Sequence, residues 1–313
     1  MSKPLNTLIV VLGPTAIGKT QLAIELAGHF KTEIISADSR QFYKEMEIGT
    51  AKPGRHELKN ATHHFISSHS IIDEFSVGQF ELQALHILDQ IFKTSDNAIL
   101  VGGSGLYLQA VCEGFDDIPS ADSSIRKNLN DLLQKEGIKV LQERLKVADR
   151  EYYDKVDLNN PQRIIRALEI WESTGKSFSS YRINNHKQRP FNIIKIGLNI
   201  SRDELYSRIN HRVDLMMQNG LLEEVKSLHL HKQLNALKTV GYTELFEHLN
   251  GLISLEDAVE KIKQNTRRFA NRQITWFRRQ KDIEWFEPDQ VQEIIDYLHQ
   301  HIHPNLAPWG QRS

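Results

Sequence analysis

Gly13-Pro14-Thr15-Ala16-Ile17-Gly18-Lys19-Thr20 decides the fold of this chain, because these residues follow the G-x-x-x-x-G-K-[ST] pattern of a phosphate-binding loop. An apolar run at residues 8–12 precedes them, and apolar residues at helical spacing follow them. A strand, a glycine-rich loop and a helix together present backbone N–H groups to an anion. We therefore expect residues 13–20 to bind a diphosphate or triphosphate, with Lys19 at the outer phosphate and Thr20 at Mg²⁺. A tight turn that caps a helix is the alternative.

The composition is that of an ordinary globular protein. Of 313 residues, 40% are hydrophobic and 25% are charged, and the formal net charge is -1. This balance does not by itself indicate a nucleic-acid partner, although a local basic patch can. The single cysteine, Cys112, excludes an internal disulfide and a cysteine-based zinc site. Because neither a membrane-length apolar run nor a signal peptide is recognisable, we expect a cytoplasmic protein with no membrane contact.

Strand-like apolar segments alternate with helical patterns in the N-terminal third. The segments lie at residues 5–12, 33–37 and 98–101. This alternation predicts an α/β fold, with a P-loop NTPase-like parallel sheet flanked by helices. Ligands of such sheets bind at the carboxyl ends of the strands. Thr20, Asp38 and Ser104 each follow such an end, so we expect them at one edge of the sheet.

Residues 119–188 differ from the rest, because their pattern is helical and no strand stands out. A strand pattern returns at residues 193–198. We therefore expect a helical insertion domain at 119–188. The catalytic core would comprise residues 1–118 and 189–313, the second part carrying a basic helical region.

Asp38 is the first candidate for chemistry. A carboxylate beside a phosphate site can bind Mg²⁺ or act as a general base, whereas an aspartate that caps a turn is the alternative. The strand at 98–101 ends in Gly102-Gly103, and apart from the strand before Asp38 no predicted strand ends in the acidic residue that usual P-loop NTPases carry. This pattern argues against ATP hydrolysis at the loop.

Arg212 is the second candidate, on a helix whose capping box begins at Ser201. A guanidinium can bind two oxygens of a departing diphosphate and stays protonated. The alternative is a solvent-exposed arginine paired with a neighbouring acid such as Glu204.

A third candidate is the basic stretch at residues 261–281, which contains eight lysines and arginines and no acidic residue. Phe269, Trp276 and Phe277 lie among them. Basic and aromatic residues together suit an RNA backbone and unstacked bases. The alternative is a solvated face over an apolar stripe of Ile262, Phe269 and Trp276.

Seven segments, in order along nearly the whole chain, together resemble the tRNA dimethylallyltransferase (tRNA isopentenyltransferase) family. The single cysteine excludes the zinc finger that eukaryotic relatives commonly add, so the resemblance is to the bacterial type. The segments are the phosphate-binding loop, DSRQFYK at 38–44, IGTAKP at 48–53, VGGSGLY at 101–107, NPQR at 160–163, RI and RVD within 208–214, and RQITW at 272–276.

The resemblance implies transfer of a dimethylallyl group from dimethylallyl diphosphate to N6 of adenosine 37, beside the anticodon. The products are N6-(dimethylallyl)adenosine and diphosphate, and the cofactor is Mg²⁺. The loop would then hold a diphosphate rather than ATP. Asp38 matches the family's general base, and Lys19, Thr20 and Arg212 match the groups that stabilise the departing diphosphate. Ser104 stands where the family usually has threonine, and its hydroxyl can still bind the diphosphate.

The resemblance also implies a tRNA partner bound at its anticodon stem-loop, of A36-A37-A38 type, with the insertion domain gripping the stem. We expect a monomer. The family pattern often has aspartate at Ser67, lysine at Asn271 and arginine at Lys238, departures that concern RNA affinity more than chemistry. The implied tRNA-binding residues are Asp38, Ser39, Arg40, Gln41, Gln162, Arg163, Ile164, Ile165, Arg166, Arg272 and Gln273.

Two other functions stay open on the sequence. A P-loop small-molecule kinase, with Asp38 as base for a hydroxyl acceptor, explains the first forty residues but not the basic helix. A non-catalytic RNA-binding protein with a vestigial loop is the other, although the intact Lys19 and Arg212 argue against decay.

Overall fold

The computed structural model describes residues 6–116, 118–119, 121–182 and 187–302. The chain forms two compact units. The sheet unit comprises Met1–Cys112 and Arg189–Ser313, and the helical unit comprises Glu113–Gln188. Within the described ranges, no helix has the length and apolar character needed to cross a membrane.

A six-stranded sheet forms the centre of the sheet unit, with the order β3-β2-β4-β1-β5-β6. Every neighbouring pair is parallel, which confirms the predicted α/β fold. Sequence patterns missed β3 and β6, because strands of two and four residues are too short to show an apolar period. The strands are β1 (Thr7–Leu12), β2 (Ile34–Ser36), β3 (His63–His64), β4 (Asn97–Gly102), β5 (Asn192–Leu198) and β6 (Ile283–Phe286).

Both faces of the sheet are covered. Leu8, Val10 and Leu12 of β1 pack in one apolar cluster, and Ile9 and Val11 pack in the other, as the period of a strand requires. The helices of the sheet unit are α1 (Lys19–Phe30), α2 (Arg55–Asn60), α3 (Val77–Ile91), α4 (Gly105–Glu113, ending at the boundary), α10 (Arg202–Gln218), α11 (Leu221–Ser227), α12 (Tyr242–Leu249), α13 (Leu255–Phe277) and α14 (Val291–Ile302).

Side-chain caps fix the starts of the helices that carry candidate residues. The Ser201 hydroxyl accepts from the Glu204 N–H (3.3 Å) at the start of α10, and the Ser254 hydroxyl accepts from the Asp257 N–H (3.0 Å) at the start of α13. The start of α10 agrees with the capping box that the sequence predicts at Ser201. These caps therefore set where each helix begins.

The helical unit has its own apolar core, built from five helices in its described part. Asn160 caps α8 by accepting from the Arg163 N–H (3.2 Å), and Pro161 occupies the first turn. The helices are α5 (Ser123–Glu136), α6 (Ile138–Ala148), α7 (Arg150–Tyr153), α8 (Pro161–Thr174) and α9 (Phe178–Tyr181).

Candidate active site

The loop between β1 and α1 has the geometry of an anion cradle. Gly13 has φ 148° and Gly18 has φ 105°, backbone conformations that favour glycine. A Cβ at Gly13 would lie 2.9 Å from the Leu198 carbonyl oxygen, so only glycine fits there. The first turn of α1 has no acidic residue, and its N-terminal N–H groups can therefore bind an anion without a competing carboxylate.

Lys19 lies at the base of this loop, where its Nζ donates to the Pro14 carbonyl (2.7 Å). Burial lowers the pKa of Lys19 to about 8, while the charge of Asp38 opposes this shift and that of Arg212 adds to it. The three side chains are therefore close enough to act on one another electrostatically. A bound diphosphate would compensate the cost of burying this ammonium group.

Asp38 follows β2 and lines the large cavity of the sheet unit. Its Oδ1 accepts from the Arg40 N–H (3.0 Å), so the turn-capping role is present in the structure. Its Oδ2 accepts no hydrogen bond from the described residues, which leaves one carboxylate oxygen for chemistry. Ser104 adjoins this turn, because its Oγ accepts from the Ser39 N–H (3.4 Å).

Arg212 faces the phosphate-binding loop rather than solvent. Its Nη1 donates to the Thr15 Oγ1 (3.3 Å) and its Nη2 to the Ala51 carbonyl (3.5 Å). Burial lowers its pKa below the usual value, and Asp38 opposes that shift. The alternative of a solvent-exposed arginine paired with an acid is wrong for Arg212. It describes Arg208 instead, which pairs with Glu204 at 2.7 Å.

Gln273 of α13 bridges the two loops that carry the site. Its Oε1 accepts from the Thr15 N–H (2.9 Å), and its Nε2 donates to the Gly103 carbonyl (2.8 Å). A Cβ at Gly103 would lie 2.3 Å from that Nε2, and a Cβ at Gly105 would lie 2.2 Å from the Trp276 Nε1. The glycines after β4 therefore allow α13 to approach. A direct RNA contact through the Gln273 amide would require this bridge to open.

A cavity of about 740 Å³ contains these groups. Its polar lining includes Thr15, Asp38, Ser104 and Arg212, so Asp38 and Ser104 meet at one edge as expected. Thr15, not the expected Thr20, represents the phosphate-binding loop there, and Lys19 is not a lining residue either. Thr20, at the start of α1, is half-buried. Sequence reasoning missed the apolar lining, although Met216 follows Arg212 at helical spacing. The apolar residues are Ile209, Val213, Met216, Val240, Phe269 and Trp276.

The cationic side chains of α13 include some that pair with acids and one, Arg272, that lines the cavity. Lys261 pairs with Glu247 (3.1 Å) and Lys263 pairs with Asp214 (2.8 Å). Arg272, by contrast, lies over the Phe269 ring at 5.7 Å. It also lines the cavity.

Of the apolar stripe that the alternative interpretation required, Ile262 is buried but Phe269 and Trp276 are not. Phe277 is buried as well, which corrects its grouping with aromatic residues that suit unstacked bases. Phe269 is 39% exposed and Trp276 is 37% exposed, so neither packs in the core. The helix instead buries Ala258, Ile262, Ala270, Gln273 and Phe277.

The other expected tRNA-binding residues of the sheet unit are held by protein contacts. Arg40 Nη1 donates to the Asn235 (3.1 Å) and Ala236 (3.0 Å) carbonyls. Gln41 is 8% exposed, and its Nε2 donates to the Thr50 carbonyl (3.2 Å). Both side chains therefore also shape the loops around the cavity.

In the helical unit, α8 carries five expected tRNA-binding residues. Ile164 (0% exposed) and Ile165 (1%) pack in the core, which corrects the expectation that their side chains contact RNA. Gln162 and Arg163 are exposed. Arg166 is half-buried and donates to Glu169 (3.4 Å).

Mg²⁺ fits the site only as a partner of a bound diphosphate. In the part of the chain that the structure describes, no three His, Cys, Asp or Glu side chains cluster as metal ligands. Mg²⁺ commonly binds through few protein oxygens, substrate phosphates and water. The Thr20 hydroxyl, beside the loop, supplies such an oxygen.

Comparisons with known proteins agree with one another. The family model described as IPP transferase matches residues 41–280. The tRNA dimethylallyltransferase of Christiangramia forsetii is 54% identical over 298 residues, covering 95% of this chain and 99% of the relative. The tRNA dimethylallyltransferase 1 of Bacteroides fragilis is 48% identical, covering 94% and 97%.

Solved structures give the same result. The tRNA isopentenylpyrophosphate transferase of Bacillus halodurans matches with a TM-score of 0.71 and 35% identity, covering 96% of this chain and 97% of that one. A eukaryotic dimethylallyltransferase acting on tRNA matches with a TM-score of 0.80 and 27% identity, covering 97% and 82%. From the family model and these full-length relatives, we conclude that the chain belongs to the tRNA dimethylallyltransferase family of IPP transferases.

Proposed function

We propose that this tRNA-modifying prenyltransferase transfers the dimethylallyl group of dimethylallyl diphosphate to N6 of adenosine 37 in tRNA. One observation carries the proposal: the Asp38 carboxylate and two half-buried cations, Lys19 and Arg212, lie around one phosphate-binding loop and its cavity. A carboxylate suits removal of a proton from the acceptor, and buried cations suit a departing anion.

Asp38 acts as the general base. As N6 attacks the allylic carbon, the N–C bond forms, the C–O bond to diphosphate breaks, and the N6 proton passes to the carboxylate. The Arg40 N–H, which donates to Oδ1 (3.0 Å), holds the carboxylate in place. Oδ2 is the oxygen that takes the proton.

The loop, Lys19 and Arg212 stabilise the diphosphate as its negative charge grows. Lys19 exchanges its hydrogen bond to the Pro14 carbonyl for one to a phosphate oxygen. The hydrogen bond from Arg212 to the Thr15 hydroxyl holds the guanidinium beside the loop, where it binds the diphosphate. Ser104 supplies a hydroxyl at the same edge. The Thr20 hydroxyl would help to hold Mg²⁺, which would supply further neutralisation of the diphosphate charge.

The apolar lining of the cavity suits the five-carbon group. Ile209, Val213 and Met216 lie on the face of α10 that also carries Arg212. An apolar wall beside a cationic one matches a donor with a hydrocarbon end and a diphosphate end. It also shields the allylic carbon from water.

Each of the two units has its own candidate tRNA contacts. In the sheet unit, Arg272 with Phe269 and Trp276 offers charge and stacking surfaces to a base that has left its stack. In the helical unit, Gln162, Arg163 and Arg166 are the candidates on α8 for gripping the anticodon stem. A monomeric state and a cytoplasmic location stay predictions.

The test is transfer of radiolabel from dimethylallyl diphosphate to unmodified tRNA with adenosines at positions 36 to 38. The reaction contains Mg²⁺ and no ATP. We expect label on N6 of adenosine 37, located by nuclease digestion and mass spectrometry. Failure to label, together with consumption of ATP on small hydroxyl acceptors, would overturn the proposal in favour of a P-loop kinase.

A further inference from the structure

Glu224 of α11 makes an unusual set of contacts outside the catalytic groups. Its Oε2 accepts from the N–H groups of Glu47 (2.9 Å) and Ile48 (2.7 Å). Its Oε1 accepts from the Gly49 N–H (3.0 Å) and from the Tyr242 hydroxyl (2.6 Å). One carboxylate thus binds three consecutive backbone N–H groups and a phenol, and such charge-assisted bonds are stronger than neutral ones.

Tyr242 closes the other side of this contact. The residue is 0% exposed, and a Cβ at Gly49 would lie 2.5 Å from its ring. Burial raises the pKa of Tyr242, and the charge and hydrogen bond of Glu224 raise it further. The phenol therefore stays protonated at neutral pH and donates its hydrogen bond to the Glu224 carboxylate.

Glu224 binds the first three residues of the segment 47–51, and this segment forms part of the active-site wall. Gly49 and Thr50 line the cavity. The Ala51 carbonyl accepts from Arg212 Nη2 (3.5 Å) and from Gln41 Nε2 (3.2 Å). The segment therefore connects a carboxylate on α11 to the guanidinium beside the phosphate-binding loop.

This segment supplies one of the hydrogen-bond acceptors of Arg212, and the charges of Asp38 and Glu57 also act on the guanidinium. Its two hydrogen-bond acceptors among the described residues are the Thr15 hydroxyl (3.3 Å) and the Ala51 carbonyl (3.5 Å). Both contacts are long, so neither alone fixes a planar group on a flexible side chain. A shift of the Ala51 carbonyl would leave the guanidinium free to turn away from the loop.

We propose that Glu224 is a positioning residue, which fixes residues 47–51 and thereby orients Arg212 toward the departing diphosphate. This inference rests on the role that the proposed function gives to Arg212. Glu224 itself touches neither substrate. Its effect on catalysis passes through the Ala51 carbonyl and therefore requires the arginine.

The experiment is a double-mutant cycle of Glu224→Gln and Arg212→Ala, measured as the single-turnover rate of prenyl transfer at saturating tRNA and donor. Glutamine keeps the shape of the side chain but turns N–H groups toward backbone donors. Inhibition by inorganic diphosphate gives a second readout. Glu223→Gln, an exposed neighbour on α11, is the matched control. Thermal unfolding sets a temperature at which every variant is folded.

We expect Glu224→Gln to slow transfer by about 10- to 100-fold, the scale of a misplaced positioning group, and to weaken inhibition by diphosphate. The Kd for tRNA and the rate of Glu223→Gln stay at the parental values. In the Arg212→Ala background, Glu224→Gln has less than about a twofold further effect, because the group that it orients is gone.

An equal slowing in both backgrounds would overturn the inference, since a merely structural role acts whether or not Arg212 is present. An unchanged rate for Glu224→Gln would overturn it too. If Arg212→Ala itself leaves the rate unchanged, the proposed role of Arg212 has failed instead. Should Glu224→Gln not fold, Tyr242→Phe enters the same cycle. It removes one donor and keeps the ring, and we expect a smaller slowing that also vanishes without Arg212.

Discussion

Two regions of the sheet unit concentrate positive charge, and they differ in how that charge is held. On α13, Lys261 and Lys263 pair with acids from other helices. At the phosphate-binding loop, Lys19 and Arg212 are half-buried and pair with no acid in the described residues, and desolvation lowers the pKa of both. A run of cations in the sequence therefore marks a surface, whereas a few desolvated cations beside one carboxylate mark the place where charge can be moved.

The largest expected effect is the loss of turnover on replacing the Asp38 carboxylate by an amide of the same shape. Asp38→Asn keeps an acceptor for the Arg40 N–H but cannot take a proton. We expect turnover to fall by about 10²- to 10⁴-fold, the usual contribution of a general base. The measurement is the single-turnover rate at saturating tRNA, with the Kd for tRNA as control. Parental turnover would remove Asp38 from the mechanism.

Arg212→Ala tests the buried side of the comparison. Loss of a group that stabilises developing charge costs about 10²- to 10³-fold in turnover. Arg202→Ala, an exposed arginine at the start of the same helix, is the control and should leave turnover unchanged. If both substitutions cost the same, burial of Arg212 has no special role.

The pKa of Lys19 gives a pH test of the same region. Burial lowers that pKa to about 8, so the ammonium form is lost as pH rises through this value. Because an anion binds the protonated form, affinity for inorganic diphosphate should fall above pH 8, by up to about tenfold per pH unit. Lys19→Met corrects for the titration of diphosphate itself. The difference in log Kd between the two proteins should carry the inflection, and a flat difference would contradict the assignment.

A smaller effect tests the exposed side. Arg272→Ala should weaken tRNA binding several-fold and reduce the salt slope by about one. Lys261→Ala, on the same helix and already paired with Glu247, should change both less. Equal effects of the two substitutions would mean that α13 attracts tRNA through its total positive charge rather than through contacts of particular residues.

The smallest effect concerns Ser67, where the family often has aspartate. Ser67 has φ 50°, a conformation that aspartate tolerates well, and its hydroxyl accepts from Lys52 Nζ (2.9 Å). Ser67→Asp would place a carboxylate beside that ammonium. We expect a gain of up to about 1 kcal/mol in the free energy of unfolding, measured by denaturant titration. A loss would show that the Lys52 contact is already optimal.

Sequence patterns predicted the parts of this molecule that depend on local chemistry. Residue type and spacing predicted the loop at residues 13–20, the cap at Ser201 and the parallel sheet. Whether Arg212 faces solvent or the loop did not follow, because that depends on how α10 packs against the sheet.

Long-range contacts set the rest of the site. Gln273 accepts a hydrogen bond from Thr15, which lies 258 positions earlier in the chain. Glu224 likewise binds residues 47–49, which lie far from it in the sequence. No local pattern encodes such pairs. The segment that carries Gly49 stood out only through the resemblance to a family, and the stretch that carries Gln273 stood out for its basic charge rather than for this bridge.

The most direct test of the separation between chemistry and RNA binding compares Asp38→Asn with Arg272→Ala in one experiment. Single-turnover prenyl transfer is followed over a range of tRNA concentrations, which gives a maximal rate and a half-saturating concentration for each protein. The account predicts that Asp38→Asn lowers the maximal rate and leaves half-saturation near the parental value, while Arg272→Ala does the reverse. If both substitutions changed the same parameter, the two regions would not have the distinct roles assigned to them.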